Sequence, residues 1–253
     1  MSASIHRSEP ISTPGLISTT PKLRWAAYFL VLLVLGLAQF WDARLYPFYE
    51  DDFDYLDHAQ KVLANPGHLF SPEHKSSGRP TTTFFFILLH SLWGFQAVPY
   101  HLTLIFAHLA TVWILAWSLH QLGFSVRLAM ITGVLFLFNV SHFEVLYWLS
   151  CQSYLGCLAS GCLAIVSYVR YVRTADVPWL AGSAAMVVLS TTFHAGAVIF
   201  AFLAYYFAFR RGGATDRIVK SGWILIVISV GLSSIALASF PIHMQNENIT
   251  RIH

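Results

Sequence analysis

Eight apolar stretches, at residues 24–41, 83–98, 101–119, 127–141, 149–169, 178–193, 195–209 and 221–240, take up more than half of this chain. A helix crosses a bilayer with about 20 apolar residues, and about 17 can suffice. Several of these stretches are shorter, so length alone leaves the number of crossings open. Composition settles the class. Of 253 residues, 56% are hydrophobic and only 11% are charged, with a mean hydropathy of +0.60. A water-soluble domain carries roughly 25% charged residues, so the expected product is an all-α, multi-pass integral membrane protein. The net charge of +3 is spread thinly, and no basic stripe interleaved with aromatics offers a nucleic-acid surface. Residues 1–22 are rich in Ser, Thr and Pro and read as a disordered tail. A cleavable signal peptide is disfavoured, because the first apolar run is long and no small-x-small site follows it. Cys151, Cys157 and Cys162 fall in one apolar segment at a spacing unlike any zinc motif, so they read as small buried packing residues.

Loop charge decides the topology, since Lys and Arg concentrate on the cytoplasmic side. Arg7, Lys22 and Arg24 precede the first run, Arg170 and Arg173 flank one short loop, and Arg210, Arg211, Arg217 and Lys220 crowd another. Placing all three groups in the cytoplasm requires an even number of crossings before Arg170, where five apolar stretches lie. One of the five therefore does not cross. The stretch 83–98 is short, begins at Thr81-Thr82-Thr83, carries His90 and reaches Gly94 early; it is read as a helix at the outer interface. The stretch 178–209 becomes a tight hairpin with its outer turn near His194. About seven spans result, with the N-terminus cytoplasmic. The module occupies 23–241, a long first outer loop runs over 42–100, and 242–253 form an outer tail. The competing topology lets 83–98 cross and makes 178–209 one tilted helix, which strands Arg170 and Arg173 outside.

That first outer loop holds most of the acid in the chain. Seven of the twelve Asp and Glu residues lie from Asp42 to Glu73, four of them in Glu50-Asp51-Asp52-Phe53-Asp54. Tyr55, Ala59, Val62 and Leu63 recur at helical spacing, so an amphipathic helix is expected to start near Asp52. Acids suit a helix N-terminus, but capping needs one or two carboxylates rather than four. A carboxylate at the membrane surface can serve as a base toward a substrate anchored in lipid. Two further groups belong to the same face. Gly78-Arg79-Pro80-Thr81 combines a cation with a helix-starting proline, suited either to a lipid-linked phosphate or to simple interfacial anchoring. Asn139-Val140-Ser141-His142-Phe143-Glu144 ends a span beside Tyr147-Trp148 and supplies His142 and Glu144 as candidates. His101 and His108 share one helix face, but haem would need histidines on two facing helices, and no such pairing is visible.

These residues together resemble the glycosyltransferase C superfamily, in its branch of protein mannosyltransferases and lipid A aminoarabinose transferases. In that branch an acidic pair opens the first outer loop, followed by Tyr and Ala; Asp51-Asp52, Tyr55 and Ala59 have that spacing. A basic residue and proline then start a short outer helix, as Arg79-Pro80 do. The blocks Phe84 to Trp93-Gly94, Tyr100-His101-Leu102 with His108, and Phe136 to Trp148-Leu149-Ser150 follow in the same order. The likeness covers about residues 25–210. The chain departs from the family at Gln152 and Tyr154, where members often carry Arg and an acid, and at His194-Ala195, where many carry an acid. Members also continue beyond the seventh span, so this chain is expected to be an N-terminal module or a truncated member.

The resemblance implies an inverting membrane glycosyltransferase working at the outer face of a membrane, the bacterial inner or plasma membrane being the expected site. The donor would be a polyprenyl-phosphate-linked sugar and the acceptor a glycan, lipid or protein. Asp51 is the expected general base and Arg79 the partner of the leaving phosphate. Asp52, Tyr55, His142, Glu144 and His194 are candidates for binding donor or acceptor. No cofactor is expected. Asp51, Asp52 and Glu144 could hold a divalent cation through oxygen ligands, a reading that is not favoured. Two other classes compete. A non-catalytic membrane subunit fits the short chain and the missing acids. A transporter would place its ionisable residues near mid-membrane at broken helices, whereas here they lie at the edges.

Overall fold

The computed structural model describes residues 21–70, 79–139, 143–212 and 215–238, and every regular element among them is helical. The helices are α1 (Pro21–Phe40), α2 (Asp51–Ala64), α3 (Pro80–Trp93), α4 (Ala97–Gln121), α5 (Val126–Leu137), α6 (Phe143–Tyr147), α7 (Ser153–Thr174), α8 (Val177–Phe193), α9 (Val198–Gly212) and α10 (Asp216–Ala238). Short 3₁₀ turns at Trp41–Leu45, Pro66–Phe70, Leu149–Gln152 and Ala195–Ala197 link them.

Four segments are long and apolar enough to cross a membrane: Leu23–Leu45, Ala97–Gln121, Leu149–Thr174 and Asp216–Ile235. Three shorter apolar helices, Val126–Leu137, Val177–Phe193 and Ala195–Arg210, lie among them. The helix expected over 127–141 stops at Leu137, and its 12 residues span only about 18 Å. α3 begins at Pro80 and ends at Gly94, whose φ of +55° carries the chain into a conformation that favours glycine. α4 ends in the same way at Gly123, φ +89°.

Contacts between helices define two ends of the bundle. At one end, Trp25 of α1 meets Trp113 and His120 of α4. There Arg170 of α7 donates to Gln121 Oε1 and lies 4.7 Å from the ring of Trp179 in α8. Tyr168 of α7 donates to Ile218 O of α10 at the same end. At the other end, a ring nitrogen of His101 in α4 lies 3.4 Å from Leu146 O of α6. Thr81 of α3 donates to Thr192 of α8, and Ser233 of α10 donates to Ala195 O. So α1, α5, α8 and α10 run one way, while α4, α7 and α9 run back. α2 and α3 stay at the end where α1 finishes and α4 begins. Among the described residues, Arg24, Arg127, Arg170, Arg173, Arg210, Arg217 and Lys220 therefore collect at one end, with Asp176 and Asp216. Asp42, Glu50, Asp51, Asp52, Asp54, Asp57 and Glu144 collect at the other, together with Arg44, Lys61 and Arg79.

The packing is of the kind a bilayer demands. Serine hydroxyls bond across helices, Ser183 to Ala164 O at 2.9 Å and Ser190 to Cys157 O at 2.8 Å, and Tyr28 OH donates to Met130 O at 3.0 Å. Gly156 and Gly161 on α7 admit the rings of Phe193 and Phe200, where a Cβ would collide. Large apolar side chains in mid-helix face outward, among them Val34, Phe106, Leu135, Phe202 and Val227. That surface suits lipid and would be a liability in water. One core lies between α1, α2, α3, α4 and α6 and includes Phe86, Tyr100, Leu104, Leu109 and Leu146. A second lies toward the basic end, around Tyr168, Ala204, Ala208 and Ile218. The three cysteines are buried and free.

Candidate functional site

Four stretches of sequence meet at the acidic end: the start of α2, the start of α3, α6 with the turn Leu149–Gln152, and the turn between α8 and α9. Asp51 and Asp52 occupy the first turn of α2, where acids are favoured by the helix dipole. Consecutive residues on a helix point about 100° apart, and here that separates the two carboxylates completely. Asp51 is exposed, and Asp52 is fully buried.

Asp52 ties the outer loop to the bundle. Its Oδ2 accepts from Tyr49 N–H at 3.0 Å and its Oδ1 from Ser150 N–H at 2.8 Å, with Leu149 N–H also directed to it. Three amide donors favour the charged form. Burial outweighs them and raises the pKa from 3.8 to about 6, with the neighbouring Asp51 adding to the rise. The backbone just before the pair is strained. Glu50 has φ +39° and ψ −110°, and Asp52 N–H donates to Tyr49 O at 2.9 Å. These values place Glu50 near the first central position of a type II′ turn, which glycine normally fills.

Tyr55 is buried one turn on and stacks on Phe86 of α3, with ring centroids 4.9 Å apart and planes 15° apart. It fastens α2 to α3 and does not face solvent. α3 in turn starts with Pro80 in its first turn and is pinned to α8 by the 2.7 Å hydroxyl bond from Thr81 to Thr192. This pairing sets Arg79, at the N-cap of α3, beside two aromatic side chains from elsewhere in the chain. Its guanidinium carbon lies 6.0 Å from the ring of Tyr154, and Tyr154 lies 4.9 Å from His194. Among the described residues, no carboxylate lies within ion-pairing distance of Arg79. His194 Nδ1 accepts from Gly196 N–H at 3.0 Å, which leaves the proton on Nε2. Partial burial, then the charge of Arg79, lower its pKa from 6.5, so His194 is neutral at pH 7.

Glu144 is exposed in the first turn of α6. It, Arg79 and Asp52 all lie close enough to Cys151 to act on it electrostatically. His142 lies outside the described residues. Sequence reasoning noted Gln152 and Tyr154 only as departures. Tyr154 is instead the surface between Arg79 and His194, and Gln152 is buried with no partner for its Nε2 among the described residues. Ser153 Oγ, Thr82 Oγ1 and Trp148 Nε1, at the same end, are also buried and unpartnered among the described residues. The one available signal was polarity, since Gln152 and Ser153 interrupt an otherwise apolar run. Among the described residues, no three His, Cys, Asp or Glu side chains are grouped as metal ligands. No protein-family model, no curated protein and no solved structure matches the chain.

Proposed function

We propose that the chain is a membrane glycosyltransferase that transfers a sugar from a polyprenyl-phosphate donor at its acidic end, with inversion at the anomeric carbon. The observation that carries this reading is that an exposed carboxylate, Asp51, and a guanidinium with no carboxylate partner among the described residues, Arg79, lie at the same end of an apolar bundle. In the proposed reaction Asp51 takes the proton of an acceptor hydroxyl. The oxygen attacks the anomeric carbon as the bond to the phosphate oxygen breaks. Polyprenyl phosphate leaves with the electron pair, and Arg79 offsets the charge that develops on it. In this reading neutral His194 and exposed Glu144 would orient donor or acceptor, with His142 assigned the same role from sequence. Asp52, spent on three backbone amides, holds the loop that carries Asp51.

Four long and three shorter apolar helices supply the seven spans of this reading. The basic end is then cytoplasmic and the acidic end outer or lumenal, with a bacterial inner or plasma membrane as the setting. A non-catalytic subunit is the second reading, favoured by the structural use of Asp52. Measuring polyprenyl phosphate released against donor concentration separates the two. Wild-type protein should release it from at least one sugar donor. Arg79→Lys should need far more donor and Arg79→Ala should be nearly inert, because lysine lacks the planar fork that matches phosphate. A lost charge-assisted contact is worth about 1.5–3 kcal/mol. Identical curves for all three would remove Arg79 from the site, and no release from any donor would favour the non-catalytic reading.

A further inference from the structure

The basic end has a feature of its own. Trp25, Ala26 and Phe29 of α1 face Ala110, Trp113, Ile114, Trp117, His120 and Gln121 of α4 across a cavity of about 800 Å³. Nearer the other end Gly36 of α1 is in close contact with Leu109 of α4; toward the basic end the contact passes to the rings of Trp25, Trp113 and His120, which bound the cavity. The residues at 110, 113, 114, 117 and 121 form one stripe of α4 at helical spacing. Both helices belong to segments long and apolar enough to cross a membrane. Phe29 and Ala110 are exposed, so the cavity opens to the surroundings of the bundle, and in a bilayer an apolar cleft there meets acyl chains.

A cation packs against two of its wall residues. Arg170 donates from Nη2 to Gln121 Oε1 at 3.1 Å, and its guanidinium carbon lies 5.8 Å from the ring of Trp117 and 4.7 Å from that of Trp179. Gln121 and Trp117 are themselves cavity walls. One of five guanidinium donors is thereby used, and among the described residues no carboxylate lies within ion-pairing distance of Arg170. Arg24 and Arg173 add positive charge at the same end. We propose that this cleft binds one anionic phospholipid, with an acyl chain between α1 and α4 and the phosphate on Arg170. The volume lies within the range of about 300–1,000 Å³ usual for small-molecule sites. A guanidinium packed against two indoles and bonded to Gln121 keeps its remaining donors in one plane, as a phosphodiester requires. The site is at the opposite end from Asp51 and does not depend on the proposed catalysis.

The test uses the full chain in detergent, with native mass spectrometry read against added dioleoyl phosphatidylglycerol or dioleoyl phosphatidylcholine. Wild-type protein should retain one phosphatidylglycerol in clear preference to phosphatidylcholine. Arg170→Gln should weaken that lipid about tenfold or more and abolish the preference. Ala110→Trp, a surface change that fills the cleft, should reduce retention of both lipids. In unmodified protein, phosphatidylglycerol with brominated chains should quench tryptophan fluorescence at lower concentration than the choline lipid with the same chains. Free glycerol 3-phosphate should not displace the bound lipid. Equal retention of the two lipids by wild type, unchanged retention in both variants, or displacement by glycerol 3-phosphate would overturn the proposal.

Discussion

The Asp52 carboxylate accepts three backbone amides and still has a pKa raised to about 6, because it is fully buried. An acid whose folded pKa lies above its unfolded value binds its proton more readily in the fold. Stability should therefore rise as pH falls from about 7 to about 4, by at most on the order of 3 kcal/mol. Asp52→Asn should remove that slope. It should also cost about 1–3 kcal/mol at pH 5, since an amide nitrogen cannot accept from Tyr49 or Ser150 N–H. Thermal unfolding of both proteins between pH 4 and 7 checks this. A variant with the wild-type slope would show that Asp52 is not its source. Asp51 lacks this burden. Its carboxylate is exposed and remains available to a substrate proton.

Local elements were largely legible, because they depend on near neighbours in sequence. The spacing of Tyr55, Ala59 and Val62 predicts a helix from about Asp52, and α2 begins at Asp51. Pro80 and Gly94 bound α3, and the turn expected near His194 falls between α8 and α9. What could not be read was contact across long separations. The bond from Ser150 N–H to Asp52 joins residues 98 apart, so sequence ranks the two acids of the pair by order alone and cannot tell which is buried. The positive φ of Glu50 was equally hidden, since glutamate gives no sign of a conformation that glycine prefers. Glu50→Gly should relieve that strain and stabilise the fold by about 1 kcal/mol, read as a higher unfolding temperature. A lower temperature would mean that the Glu50 side chain contributes more than its backbone costs.

Across the whole molecule, charge and helix direction agree. Among the described residues, most basic side chains gather at one end and most acidic ones at the other, Arg44, Lys61 and Arg79 excepted; loop charge led the sequence reading to put the basic groups on one side. The thin point is helix length, since the 12 residues of α5 reach about 18 Å against a hydrocarbon core of about 30 Å. Single cysteines test the orientation. Thr174→Cys should be labelled by an impermeant maleimide only from the cytoplasmic side and Asp57→Cys only from the other. The three native cysteines are buried and should stay silent. Labelling of both positions from one side would require the spans to be redrawn.

The central claim is that Asp51 is the base in a sugar transfer at the acidic end. The most direct measurement is single-turnover release of polyprenyl phosphate by wild-type and Asp51→Asn protein, each reconstituted in liposomes with a saturating sugar donor and acceptor. The account predicts a loss of about 10²-fold or more for Asp51→Asn, with unfolding temperature and donor binding unchanged. Release by Asp51→Asn within about tenfold of wild type would contradict it.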